Sequence, residues 1–128
     1  MRPERGSQVL VVDAANVVGS RPDGWWKDRP GAARRLHEAV LVADLPHDEV
    51  VLVVEGAAKA GVPPGRDGHV RTVHARGSGD DTIVEEARAA VERGDRVVVV
   101  TADRFLRSRV EGLGAMAMGP SWLLDQLA

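Results

Sequence analysis

A chain of 128 residues is long enough for one domain with a real core, and its formal charge of −2 leaves no whole-molecule field to draw in nucleic acid. The absence of cysteine excludes disulfides and thiolate metal sites. No apolar stretch approaches the roughly 20 residues of a membrane span, and the polar start MRPERGSQ lacks the apolar centre of a secretory signal, so a cytoplasmic protein with no membrane partner is expected. The near balance of charge hides a bias, since 15 of the 17 basic residues are Arg. Arg grips phosphate bidentately, which suits a nucleic-acid ligand. A GC-rich genome would produce the same bias, together with the abundant Ala, Gly and Val and the absence of Tyr.

In chain order, residues 1–6 are polar with Pro3 and Gly6 and read as a frayed end. Gln8–Val12 is a first strand whose apolar run implies burial on both faces of a parallel sheet. Residues 17–29 read as a loop carrying Gly19, Pro22, Gly24 and the pair Trp25-Trp26. Asp28 fits the N-cap of a helix over Arg29–Ala43, with Pro30 in its first turn. Val50–Val54 is a second buried strand, followed by Glu55. Residues 56–68 are rich in Gly and Pro and read as a loop, and His69–His74 is a weaker third strand. Ile83, Val84, Ala87, Ala90 and Val91 lie at helical spacing in a helix over Asp80–Arg93, which Gly94 stops. Val97–Val100 is a fourth strand. Arg104–Glu111 is a short helix with Phe105, Leu106 and Val110 expected inward. Ala115–Met118 is a fifth strand and Ser121–Leu127 a last helix. Strands alternating with helices predict a single α/β domain over 1–128, a parallel five-stranded sheet with helices on both faces.

The chemistry-bearing residues are five acids. Asp13 and Glu55 follow the first two strands, Asp80 and Asp81 open the helix after the third, and Asp103 follows the fourth. Parallel strands bring all five to the carboxyl edge of the sheet, where open α/β sheets bind ligands. If strand order switches between strands one and four, Asp13 and Asp103 flank the crevice. Clustered carboxylates repel, so they raise one another's pKa or demand a cation. Hard oxygen donors select Mg²⁺ or Mn²⁺ over Zn²⁺. Such an ion orients and deprotonates water for attack on a phosphodiester.

Each acid also has a purely structural reading. Ser78-x-x-Asp81 approximates a capping box, Asp80 suits the first turn of a helix electrostatically, and Asp103 or Thr101 could cap the next helix. Asp13 is harder to explain this way, because a carboxylate entering from a buried strand needs a partner. Asn16 could hold Asp13 or a phosphate by hydrogen bonds, or be an ordinary turn residue. Arg76, Arg104 and Arg107 lie near the acids and could neutralise phosphates. One of Trp25 and Trp26 could stack on a base while the other packs under the loop. Trp122 reads as core or a helix anchor. His37, His47, His69 and His74 show no ligand spacing. Rival α/β readings fail on particular residues: Asp13-Ala14-Ala15-Asn16 is neither a Gly-rich dinucleotide turn nor a P-loop, Ala15 stands where a haloacid-dehalogenase-like phosphatase wants its second Asp, and the Lys a receiver domain needs after strand five is missing.

Asp13-x-x-Asn16 after strand one, Ser78-Gly79-Asp80-Asp81-Thr82-Ile83 and Val100-Thr101-Ala102-Asp103-Arg104 together resemble the three motifs of the NYN family, a branch of the PIN-like metal-dependent nucleases. The ending, from Gly114 through Gly119-Pro120 to Trp122-Leu123-Leu124, is similar to the tail of small bacterial members. The resemblance spans nearly the whole chain and rests on the order of the motifs. It implies a PIN-like sheet in the order 3-2-1-4-5, a Mg²⁺ or Mn²⁺ site and RNA cleavage by metal-activated water. Asp13, Asp80 and Asp103 would be ligands and Asn16 a support. Glu55 departs from the Asp such proteins often carry there, and the family position falls on either Asp80 or Asp81. The same features allow a catalytically weak module that binds RNA or protein. An edge strand or an apolar patch from Met116 to Trp122 could serve a homodimer.

Overall fold

The computed structural model describes residues 6–128. The frayed end expected over 1–6 lies, Gly6 apart, outside the described residues. β1 (Gln8–Asp13) is the centre of the sheet and is buried from Val9 through Asp13. It runs parallel to β2 (Glu49–Val54) on one side and β5 (Arg96–Val100) on the other. Neither flank of β1 meets water, which is why its residues are apolar without alternation. β2 passes the parallel pattern to β4 (Val70–His74) and β5 passes it to β6 (Met116–Met118). The five parallel strands stand in the expected order. A sixth strand corrects the count: β3 (Gly65–Asp67) pairs antiparallel with β4 and closes that edge, giving β3-β4-β2-β1-β5-β6. Its residues are all exposed, so no burial pattern announces it.

Among the described residues, five helices flank the sheet: α1 (Ala14–Gly19), α2 (Arg29–Val42), α3 (Gly79–Glu92), α4 (Arg104–Gly112) and α5 (Pro120–Leu127). Successive residues of β1 feed opposite cores. Val9 and Val11 pack with Ile83, Val84 and Ala87 of α3 and Leu106 and Val110 of α4. Leu10 and Val12 pack with Val17 of α1, Leu36 and Val40 of α2 and Leu123 of α5. The result is a three-layer α/β/α domain. Leu10 and Leu52 are fully enclosed, so truncating either to Ala costs about 2–5 kcal/mol.

Both expected loops are more ordered than their composition suggests. Residues 17–29 include the end of α1 and a 3-10 turn at Trp25–Lys27, and residues 56–68 include 3-10 turns over Gly56–Gly61 as well as β3. Asp28 does cap α2, accepting a hydrogen bond from the Gly31 N–H at 2.9 Å. Gly94 follows α3 at φ +89°, the left-handed region that favours glycine. Phe105 does not face inward: it is 85% exposed, while Leu106 and Val110, four residues apart, supply the buried stripe of α4. Among the described residues, no helix is long and apolar enough to cross a membrane.

Candidate active site

The carboxyl edge gathers side chains from four successive elements. Asp13 ends β1 and caps α1; its Oδ1 accepts only a long bond from the Asn16 N–H, at 3.4 Å. Its Oδ2 is held more firmly, by the Asn16 side-chain amide at 2.7 Å and the Thr101 hydroxyl at 2.9 Å. The carboxylate is thus locked by one oxygen, and the other carries no strong bond. Asn16 works in both directions, since its Oδ1 accepts from the Ala102 N–H at 3.2 Å. Thr101, fully buried, donates to Asp13 and accepts from the Asp103 N–H at 3.1 Å. Asn16 and Thr101 therefore join the turn after β1 to the turn after β5, across the crevice where strand order reverses.

Asp103 caps α4, with Oδ1 accepting from the Leu106 N–H at 3.0 Å. Glu55 has an unexpected partner. Its Oε2 accepts from the Gly79 N–H at 2.6 Å, at the start of α3. A Cβ on Gly79 would lie 2.5 Å from that same oxygen, so glycine is what lets the carboxylate approach. The Ser78 side chain makes no capping bond. The expected capping box is replaced by an acid from the neighbouring strand end. Glu55 and Asp103 share a pattern, in which one oxygen serves the local structure and the second lies outside these bonds, and Asp13 approaches it, with Oδ2 held firmly and Oδ1 only by the long bond.

The two adjacent acids on α3 part company. Asp80 feels the negative charges of Asp103 and Glu55, whereas Asp81 turns outward, its side chain 85% exposed and paired with Arg109 at 3.0 Å. Electrostatics follow from this geometry. Burial pushes the Asp13 carboxyl above the usual carboxylate range and the charge of Glu55 adds to the rise; the hydrogen bonds from Thr101 and Asn16 oppose it without cancelling it. Asp80 is also raised, by burial first and then by Asp103 and Glu55, with Arg109 pulling the other way. Among the described residues, no three His, Asp or Glu side chains converge closely enough to cage an ion as they stand.

The basic and aromatic candidates are dispersed. Arg76 and Arg104 are exposed beside the edge. Arg107 leans along α4, donating to the Ala117 carbonyl at 3.1 Å and reaching Glu111 at 3.6 Å. Trp25 is half-buried under the Arg29 guanidinium, 5.2 Å from its ring centroid, and Trp26 stands edge-on to it and 57% exposed. The histidines lie elsewhere: the Nε2 atoms of His69 and His74 hydrogen-bond the Val40 and Val62 carbonyls, and His47 packs edge-on to Trp122. Thr101, central to the site, shows in the sequence only as the Thr of a Thr-x-Asp pattern, which fits a helix cap equally well; Arg29, which lies beside the acids against Trp25, carries no signal beyond following Asp28.

No family model and no curated protein matches the sequence. A search of solved structures finds the crystal structure of Rae1 (YacP) from Bacillus subtilis, in a W164L mutant, with a TM-score of 0.62 and 18% identity over 94% of this chain and 74% of that one. At that identity the likeness shows the fold. This is a single α/β domain with a mostly parallel sheet flanked by helices, an architecture it shares with Rae1.

Proposed function

We propose that the chain is a cytoplasmic, metal-dependent ribonuclease that hydrolyses RNA phosphodiesters at the carboxyl edge of its sheet. The observation that carries the reading is the inward-facing acid cluster. Asp13 and Asp80 are raised by burial first and then by neighbouring carboxylates, Glu55 for Asp13 and Asp103 and Glu55 for Asp80, and a fold gains nothing in stability from burying acids beside acids. The shared fold with Rae1 and the order of the NYN-like motifs support the choice of RNA.

The donor set fits a hard divalent cation. All the donors are oxygens, which suits Mg²⁺ or Mn²⁺. Mg²⁺ keeps several of its waters and is commonly bound by one or two carboxylates plus substrate phosphates, so a cage of three protein ligands is not required. Asp13 through Oδ1, Asp80 and Asp103 would hold the ion, with Glu55 beside them. Bound there, it would offset phosphate charge and acidify the attacking water. The chain's own residues do the rest. Thr101 and Asn16 fix the direction of Asp13. Arg76 and Arg104, exposed beside the edge, offer positive charge to phosphates on either side, whereas Arg107 is tied to Ala117 and Glu111. Asp81, pointing away, is left to Arg109.

A second reading, a catalytically weak module that binds RNA or protein, draws on the lack of three converging ligands among the described residues. One experiment separates the two. A labelled mixed RNA pool is incubated with Mn²⁺, Mg²⁺ or EDTA, using wild type and Asp13→Asn. Cutting that needs metal and disappears in the variant is the expected result. Intact RNA throughout, with folded protein that still binds it, would leave the binding module.

A further inference from the structure

Beside the acid cluster lies a hollow of about 160 Å³ that the proposed chemistry does not use. It opens between α1 and the turns after β2. Ala15, Val18 and Ala58 give it apolar walls, Trp25 and Arg29 give it a flat one, and Glu55 marks its border with the acids. We infer that this hollow seats one pyrimidine base of the RNA strand, next to the phosphate at the acidic edge. The inference rests on the ribonuclease reading and adds to it how the strand is held.

Three features point to that occupant. The first is size: an apolar cavity of about 150 Å³ accommodates a single benzene ring, so the walls enclose one six-membered ring and leave the second ring of a purine outside them. The second is the flat wall. Trp25 is held on two sides, by the Arg29 guanidinium 5.2 Å from its centroid and by Trp26 edge-on at 5.9 Å. A fixed planar surface of indole and guanidinium is a stacking platform for a base. The third is the pair of polar groups among apolar walls, which is how pockets orient a ligand. Arg29 brings hydrogen-bond donors. Glu55, whose Oε2 is committed to Gly79, has Oε1 outside that bond. A pyrimidine base carries both carbonyl acceptors and N–H donors on one ring edge.

Position strengthens the case. Ala14 and Ala15 follow Asp13 directly, and Glu55 belongs to both the hollow and the cluster. A base seated there would leave its own phosphate at the cluster's rim. The pocket would then set which nucleotide lies beside the scissile bond.

The test reads binding without cleavage. The ¹⁵N-labelled full chain is titrated in EDTA with cytidine, uridine and adenosine, neutral probes that the acids do not repel, and amide shifts are followed. Saturable shifts at Ala15, Val18, Gly56 and Ala58 with both pyrimidine nucleosides are expected, at least tenfold weaker with adenosine. Ala58→Leu fills the hollow and should weaken binding at least tenfold, with Ala15→Leu on the exposed rim as a second filler should the first unfold. Equal affinity for adenosine, no shifts at these amides, or full binding in a folded filled variant would overturn the inference. Pyrimidine binding without any RNA cleavage would fail the ribonuclease reading and leave the pocket standing; cleavage without pyrimidine binding would do the reverse.

Discussion

The two edges of the sheet are built from the same kinds of residue and arranged in opposite ways. At the amino edge, acids meet cations. Glu49 receives Arg66 at 2.6 Å and Arg71 at 3.3 Å, Arg71 also reaches Glu86 at 2.6 Å, and Arg93 pairs with Asp95 at 2.9 Å. Asp48 and Asp95 take up the backbone N–H groups of Gln8 and Ser7. Burial alone would raise Glu49, but the two arginines outweigh it and hold the carboxyl below its usual range. At the carboxyl edge, acids meet acids, and Asp13 and Asp80 are raised. One edge is organised for stability. The other keeps charge uncompensated, which is the sign of a surface waiting for something positive.

The sharpest way to break the contrast is Asp13→Asn. Cleavage should fall by about 100-fold or more, since even residues behind a metal ligand contribute 10–100-fold. In metal-free buffer the same variant should be more stable at neutral pH. The raised pKa means that the fold favours protonated Asp13. That contribution is fully present below the unfolded value of 3.8 and is lost as pH rises through the higher folded value. Denaturant melts from pH 3 to 7 should therefore show variant and wild type converging in acid and separating as pH rises. Parallel curves would mean that the carboxyl is not strained.

Next in size is Thr101→Val, which keeps the shape but removes the hydroxyl joining Asp13 to the Asp103 N–H. Cleavage should drop about 10–100-fold, measured on the RNA that wild type cuts. Glu55 divides its role by substitution. Glu55→Ala should cost about 1 kcal/mol as a lost helix cap, and Glu55→Gln should recover that stability, because its side-chain carbonyl still accepts from Gly79. At the other edge, Arg71→Ala should cost about 1 kcal/mol and leave cleavage untouched. It should also flatten the loss of stability in acid. Glu49 contributes above its unfolded value of 4.5 and loses that contribution as pH falls through the lower folded value; without Arg71 the folded value moves back toward 4.5, so less stability is there to lose. Smallest is Phe105→Ser at an 85% exposed position, expected to change stability by less than about 0.5 kcal/mol in thermal melts.

The parallel strands were legible because burial on both faces demands uninterrupted apolar runs, and Val9–Val12, Val50–Val54 and Val97–Val100 have them. The gathering of acids followed from strand direction alone. What could not be read depends on contacts between distant parts of the chain. α1 has only six residues, too few to display a helical period. β3 is polar and exposed, defined by its partner rather than by its own pattern. Phe105 shows that apolar character alone does not signal burial: its phase on α4 differs from that of Leu106 and Val110, and it faces solvent. Glu55 as the cap of α3 joins residues 24 apart, and sequence spacing carries no trace of it. The outward turn of Asp81 toward Arg109 is likewise set by helix phase and a neighbouring helix.

The uneven grip on Asp13 has a practical consequence. Both strong donors, from Asn16 and Thr101, converge on Oδ2. An asparagine placed there can satisfy both only with its carbonyl in the Oδ2 position. Its NH₂ must then occupy the position of Oδ1, where only the long bond from the Asn16 N–H is given up. The substitution thus reverses polarity at one defined point, from lone pairs that repel a phosphate to N–H groups that attract it. The inactive variant is pre-shaped as a trap, suited to capturing and sequencing the strands that wild type would release.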